Sequence, residues 1–225
     1  MGKRRSKADE VYDLLRNRIV RTELGPDQHF VGGEIVAETG YGATPVREAL
    51  DRLDRDGFVV TIPRRGYRVA PVTTKTYDDF MEVWVAILPQ VVRSALKRMS
   101  PEQALRLDQS FEAKPALGHD ADDPAGPLAS RQERYRLLAE ATNNATLARV
   151  FERLANESER YFWVAYSSDP KIVGRLDLDP VERHLWKERD EERMVQLLME
   201  RIDESRAFAR KIFEEREARD PGTAT

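Results

Sequence analysis

The chain has 225 residues, with 37 Lys+Arg against 40 Asp+Glu, a net charge of -3, 40% apolar residues and no cysteine. That length accommodates two domains with a substantial core, and the lack of thiols excludes disulfides, thiolate metal sites and cysteine nucleophiles. Lys3-Arg4-Arg5 is followed by polar residues rather than a signal-type apolar segment, and the longest apolar run, Val83 to Leu88, falls far short of the roughly twenty residues that span a bilayer. A cytoplasmic protein without membrane contact is expected.

In chain order, Val11, Leu14, Leu15 and Ile19 form one apolar face on a helix that ends near Arg21 to Pro26. A short helix is predicted from Glu34 to Thr39. Gly40 can end it at positive φ, Thr44 can cap the next helix through its hydroxyl, and Pro45 suits the first helical position, where its missing N–H costs nothing. That helix, Thr44 to about Asp56, buries Val46, Ala49, Leu50 and Leu53 and turns Arg47, Glu48, Asp51 and Arg52 to solvent. The pair has the proportions of a helix-turn-helix, with the second helix as reader.

Phe58 to Ile62 and Tyr67 to Val69 are β-branched and aromatic, and Pro63-Arg64-Arg65-Gly66 turns between them. A hairpin with two cations at its tip, directly after a reader helix, looks like the wing of a winged helix. Charge distribution agrees, since residues 1–72 carry 13 Lys+Arg against 11 Asp+Glu while the remainder carries 24 against 29. A locally basic surface can then attract phosphates despite the acidic total. Lys3 to Lys7 reads either as an arm that follows the DNA backbone or as a solvated tail.

From Tyr77 onward the pattern is helical, so the division expected is a DNA-binding domain at 1–72, including an arm at 1–7, a linker at 73–76 and a helical domain at 77–225. Tyr77, Phe80, Met81, Trp84, Ile87, Leu88, Val91 and Ala95 make a wide apolar face on its first helix, in which Pro89 is expected to produce a kink. Further helices are predicted at Pro101 to Leu117, Leu128 to Thr142, Leu147 to Tyr166, Val181 to Glu200 and Arg201 to Glu217. Loops are predicted at Gly118 to Gly126, Asn143-Asn144 and Ser167 to Pro180. The fold class expected is mainly α, a winged helix-turn-helix followed by an all-helical bundle.

The run Val11 to Arg16, the Leu24-Gly25-Pro26 turn, Thr44-Pro45-Val46-Arg47-Glu48-Ala49-Leu50, Leu53, Asp56-Gly57-Phe58-Val59 and Arg64-Arg65-Gly66-Tyr67 together resemble the GntR family of bacterial transcription regulators. Over residues 8 to 71 the resemblance implies DNA binding through Thr44, Pro45, Arg47, Glu48, Arg52, Arg64, Arg65, Gly66 and Tyr67. Gly42-Ala43 stand where members of the family carry Ser-Arg, which leaves Arg47 as the main arginine of the reader helix. The helical remainder, through Leu137 to Asn144 and the closing helices around Asp203 and Ala207, resembles the FadR-like, FCD group. That resemblance implies a homodimer on an inverted-repeat operator in duplex DNA, controlled by a small organic effector, with repression relieved by ligand as the default.

Many FCD domains bind a divalent metal through an aspartate and three histidines. The resemblance puts those positions at Arg131, Tyr135, Glu192 and Glu214, none of which keeps its ligand type, and the chain's histidines are His29, His119 and His184. No metal and no other cofactor is therefore expected; a carboxylate-only site at Glu192 and Glu214 is the residual option. Trp84 and Leu88 replace an arginine and a glutamate frequent in the group, so the effector expected is largely apolar, with an anionic end near Arg131. Tyr161, Phe162, Trp163, Tyr166 and Trp186 add aromatic surface, for which plain core is the commoner role. The effector residues expected are Trp84, Leu88, Arg131, Tyr135, Glu192 and Glu214. In the alternative, the bundle only dimerises or binds a protein partner, without a ligand. No phosphate-binding loop, dinucleotide fingerprint or nucleophile–base arrangement is evident, so an enzyme is not expected.

Overall fold

The computed structural model describes residues 5–112, 125–170 and 180–219. Helix α1, Lys7–Val20, opens with a reciprocal cap in which Ser6 Oγ accepts from the Asp9 N–H and the Asp9 carboxylate accepts from the Ser6 N–H. The arm expected at 1–7 thus already contributes a cap and the first helical residue, and Arg5 pairs with Asp13; residues 1–4 lie outside the described residues. A two-residue strand that periodicity could not reveal, β1 (His29–Phe30), leads into α2 (Gly32–Thr39), where the Glu34 side chain accepts from the Val31 N–H at 2.9 Å. Gly40, at φ 72°, ends α2 as expected of a residue without Cβ strain.

Helix α3 runs from Ala43 to Arg55 and starts two residues before Pro45, the predicted first helical position. Gly42, in extended conformation, occupies the cap, so Thr44 and Pro45 are the second and third helical residues and the Thr44 hydroxyl caps nothing. Pro45 still costs no hydrogen bond, because the third N–H of a helix also lacks an intrahelical acceptor. Strands β2 (Val59–Ile62) and β3 (Gly66–Val69) pair antiparallel with Ile62 opposite Gly66, and β1 adds on the far side of β3. Phe30 stacks on Tyr67 across that junction, with ring centroids 5.8 Å apart. Val11, Leu15, Val46, Leu50, Leu53 and Phe58 fill the core of this unit.

Helix α4, Thr74–Arg98, begins inside the segment expected as linker because Thr73 and Thr76 cap each other through side chain and backbone. It remains helical through Pro89. Then come α5 (Pro101–Glu112), α6 (Ala125–Ala141), α7 (Ala145–Ser168, capped by the Asn144 carboxamide), α8 (Pro180–Glu188) and α9 (Glu191–Arg219). The predicted extension of α5 to Leu117 and most of the two longer predicted loops lie outside the described residues. The break expected at Glu200–Arg201 is absent, and the chain turns instead at Arg189-Asp190. Arg189 adopts φ 55° and donates to the carbonyls of Leu96 and Met99 at 3.2 and 3.0 Å, while Asp190 accepts from the Arg193 N–H. These bonds pin the turn to the end of α4, which sits against α6, α7 and α9.

Helix α7 joins the two units. Arg160, only 4% exposed, donates through Nη1 to the Gly57 carbonyl at 2.9 Å and through Nη2 to the carbonyls of Ala70 and Pro71. Arg16 on α1 pairs with Glu159 and donates to Asn156 Oδ1 at 3.1 Å. Trp163 packs against both hydrophobic clusters and carries the Arg21 guanidinium 5.9 Å above its ring.

The wing turn depends on Gly66. Its φ is 95°, and a Cβ there would lie 2.6 Å from the Phe30 carbonyl oxygen. Gly66→Ala is expected to remove about 1–3 kcal/mol through backbone strain and displacement of β1. A urea unfolding midpoint equal to that of the unaltered protein would contradict this account of the turn.

Candidate DNA-binding face and bundle cavity

The exposed side of α3 presents Thr44, Arg47, Glu48, Asp51 and Arg55, and the exposed tip of the wing presents Arg64 and Arg65. Arg64 sits at φ 64° and the Arg65 N–H closes the turn onto the Ile62 carbonyl at 3.0 Å. The backbone of the wing thus orients its two cations. Tyr67 bridges the two elements; burial raises its phenol from the usual value, with Asp51 adding to the effect and Arg47 opposing it.

Arg52, exposed on the same helix, also makes contacts within the unit. Its guanidinium lies 3.9 Å over the Tyr12 ring, donates to Asp9 at 3.2 Å and approaches Asp56 at 3.8 Å, and Tyr12 itself donates to Asp56 at 2.7 Å. The residue braces α3 against α1. Gly66, half-buried, shapes the wing turn, and Tyr67 spends one ring face on Phe30.

A cavity of about 210 Å³, partly open to solvent, lies among α4, α5, α6, α7, α8 and α9. Trp84 and Leu88 line it from α4, and Arg131 and Tyr135 from α6, together with Tyr161, Phe162 and Trp186. Aromatic contacts build the wall: Trp84 lies 5.4 Å from Tyr135 and 5.5 Å from Phe80, and Phe80 lies 5.0 Å from Tyr161. Burial pushes the Tyr161 phenol up to about 12, and its hydroxyl donates to the Thr76 carbonyl at 2.9 Å.

Glu192 and Glu214, expected at the effector site, are instead exposed on α9 and do not line the cavity; Glu214 pairs with Arg210. Trp163 turns away toward the DNA-binding unit. The one carboxylate among the described lining residues, Glu182, accepts from Arg201 at 3.0 Å, and no described imidazole lines the space. Two guanidiniums, Arg131 and Arg134, face it as well. That donor set does not fit the divalent metal that many FCD domains hold. Among the described residues no group of three His, Asp or Glu side chains converges elsewhere, and no helix is long and apolar enough to cross a membrane.

Sequence reasoning missed Arg134, Ser158, Glu182 and Arg201 on the cavity wall. In α6 the run Arg131-Gln132-Glu133-Arg134-Tyr135-Arg136 is polar all round, so periodicity alone does not separate a cavity-facing arginine from a solvated one. The spacing of Arg131 and Arg134, three apart and hence on one helix face, was the available signal.

A winged-helix unit with free cations on its reader helix and wing, joined to a helical bundle with an internal cavity, defines a DNA-binding regulator of two parts. Residues 7–69 match the model for bacterial regulatory proteins of the gntR family, and residues 79–180 match the FCD domain. The chain is a GntR-family transcriptional regulator carrying an FCD domain.

The chain is 19% identical over 145 residues to the HTH-type regulator YdhC of Bacillus subtilis, covering 64% of this chain and 65% of that protein. It is 28% identical over 91 residues to the HTH-type transcriptional repressor GlaR of Escherichia coli, covering 40% and 41%. The chain thus spans less than two thirds of the length of these relatives. Two solved structures share the fold: McbR/YncC of E. coli, with a TM-score of 0.77 at 17% identity over 92% of this chain and 98% of that one, and a GntR transcriptional regulator from Rhodococcus sp. RHA1, with a TM-score of 0.65 at 19% identity over 91% and 98%.

Proposed function

We propose that this protein represses transcription as a homodimer on an inverted-repeat operator, and that a small, largely apolar organic effector in the bundle cavity controls that binding. The observation that carries the reading is the double duty of α7. Ser158, Tyr161 and Phe162 line the cavity, and Asn156, Glu159, Arg160 and Trp163 in the same two turns hold the DNA-binding unit. A ligand that shifts these turns changes the seat of the reader helix. Each reader helix enters the major groove with Arg47 near its N-terminal end, and each wing places Arg64 and Arg65 on the backbone or in the minor groove. Exposed valines on α4 and α7, Val83 and Val150, supply apolar surface for self-association. A bundle serving dimerisation alone would have no use for an aromatic-lined cavity with a buried arginine on its wall.

Sequencing of DNA that co-purifies with the full chain is expected to return a two-fold symmetric motif with half-sites about one helical turn apart. Recovery of DNA no different from input overturns the operator reading. Arg47→Ala should weaken operator binding by about 1–3 kcal/mol while leaving non-specific binding nearly unchanged, as measured by gel shift. Equal losses on both DNAs would remove Arg47 from base recognition. Arg64→Ala and Arg65→Ala should each lower the slope of log affinity against log salt by about one; an unchanged slope would detach the wing from the phosphates.

A further inference from the structure

Among the described residues, one side-chain hydrogen bond joins the wing hairpin to the reader helix: Thr61 on β2 donates through Oγ1 to Asp54 Oδ2 on α3 at 2.7 Å. Thr61 pairs with Tyr67 across the hairpin, so both side chains stand on one face of the sheet. Opposite them, Arg47, Asp51 and Asp54 form one stripe of α3 at the i, i+4, i+7 spacing. Burial first, then the charges of Asp51, Arg47 and Asp54, perturb the Tyr67 phenol, which places it close to that stripe.

The fold does not need this bond. Thr61 is exposed, and a hydrogen bond in contact with water contributes little to stability. A carboxylate on this side of α3 is also a liability, because it faces the phosphates that Arg47 and the wing cations are to meet. Direction is what the bond supplies. Arg160 holds the hairpin only at its base, at Gly57, Ala70 and Pro71. Arg64 lies seven residues beyond Gly57, about 23 Å of extended strand. A tilt of about 10° at the base moves such a tip by about 4 Å, more than a hydrogen bond tolerates. On the far side β1 steadies β3 through Phe30 and Tyr67, whereas β2 is an outer strand of the sheet. Thr61 ties that strand to the reader helix three residues short of Arg64.

We infer that Asp54 and Thr61 are positioning residues for operator recognition: their bond is a strut that sets the angle of the wing to the reader helix, so that Arg47 and the Arg64-Arg65 tip engage one duplex together. The inference rests on reader and wing meeting the same DNA. Neither side chain has to touch a base. The strut turns two contact surfaces into one preorganised unit, whose binding forfeits less freedom than that of two surfaces joined by a mobile hairpin.

The test is the affinity of the full chain, by fluorescence anisotropy, for the duplex recovered by co-purification and for a scrambled duplex. Thr61→Val and Asp54→Ala are each expected to weaken operator binding by about three- to tenfold. Thr61→Ser and Asp54→Asn, which keep the donor and the acceptor, should bind as the unaltered protein does. The sign for Asp54→Ala is decisive. Removal of a carboxylate that only repels phosphate would tighten binding to both duplexes, and that result overturns the inference. In the background of Arg64→Ala with Arg65→Ala, Thr61→Val should cost nothing further, since no tip is left to aim. An undiminished loss there would make the bond a local brace and overturn its positioning role. If the Arg64→Ala, Arg65→Ala pair itself leaves operator binding unchanged, the wing reading fails and the strut with it. If that pair weakens binding and Thr61→Val does not, the strut alone falls. Should Asp54→Ala fail to fold, as judged by circular dichroism, Thr61→Val carries the test.

Discussion

Arg160 is the group on which the arrangement of the two units depends. Its acceptors are backbone carbonyls at the base of the wing: Gly57 precedes β2, and Ala70 and Pro71 follow β3. A single buried guanidinium therefore clamps both ends of the hairpin to α7, with Phe58 5.9 Å beneath it. Burial depresses its affinity for the proton, nearby Tyr161, Glu157 and Asp27 oppose that effect, and its hydrogen bonds go to neutral carbonyls. Each such bond to a charged donor contributes about 1.5–3 kcal/mol, and losing the donor leaves buried carbonyls without partners. Arg16 reaches Glu159 and Asn156 alongside, so the contact between units consists of directional polar bonds around an aromatic patch, which can rearrange between discrete states more readily than a continuous apolar core.

The same helix carries part of the cavity wall. Arg160 and Tyr161 are neighbours, one holding the wing and the other closing the cavity while bonding the first turn of α4. Arg131 donates to Ser158, two residues before Arg160. The cavity wall and the wing contact thus lie within one turn of α7.

Much of the first unit was legible in the sequence because local chemistry sets it. Gly40 and Gly66 occupy positive-φ turns, and the apolar stripe of α3 has no plausible use except burial. Thr44 misled because a Thr-Pro pair reads as cap and first residue, whereas Gly42 takes the cap and shifts the helix start by two. The contacts of Arg52 with Tyr12 and Asp9, some forty residues upstream, were not legible either, because an arginine on a solvated helix face carries no sign of a distant partner. In the bundle, apolar spacing marked α4, while the cavity positions came from the family; of these Trp84, Leu88, Arg131 and Tyr135 line the cavity, and Glu192 and Glu214 fall on the solvated face of α9. Arg160 escaped notice because its partners are backbone atoms, which no residue pattern can announce.

Hydrogen–deuterium exchange of the full chain, comparing Arg160→Met with the unaltered protein, tests the clamp most directly. The amides of Phe58, Val59 and Val69 to Thr76 should lose protection together in the variant, while those within α1 and α3 keep theirs. Unchanged protection across the base of the wing would contradict the central role given to Arg160.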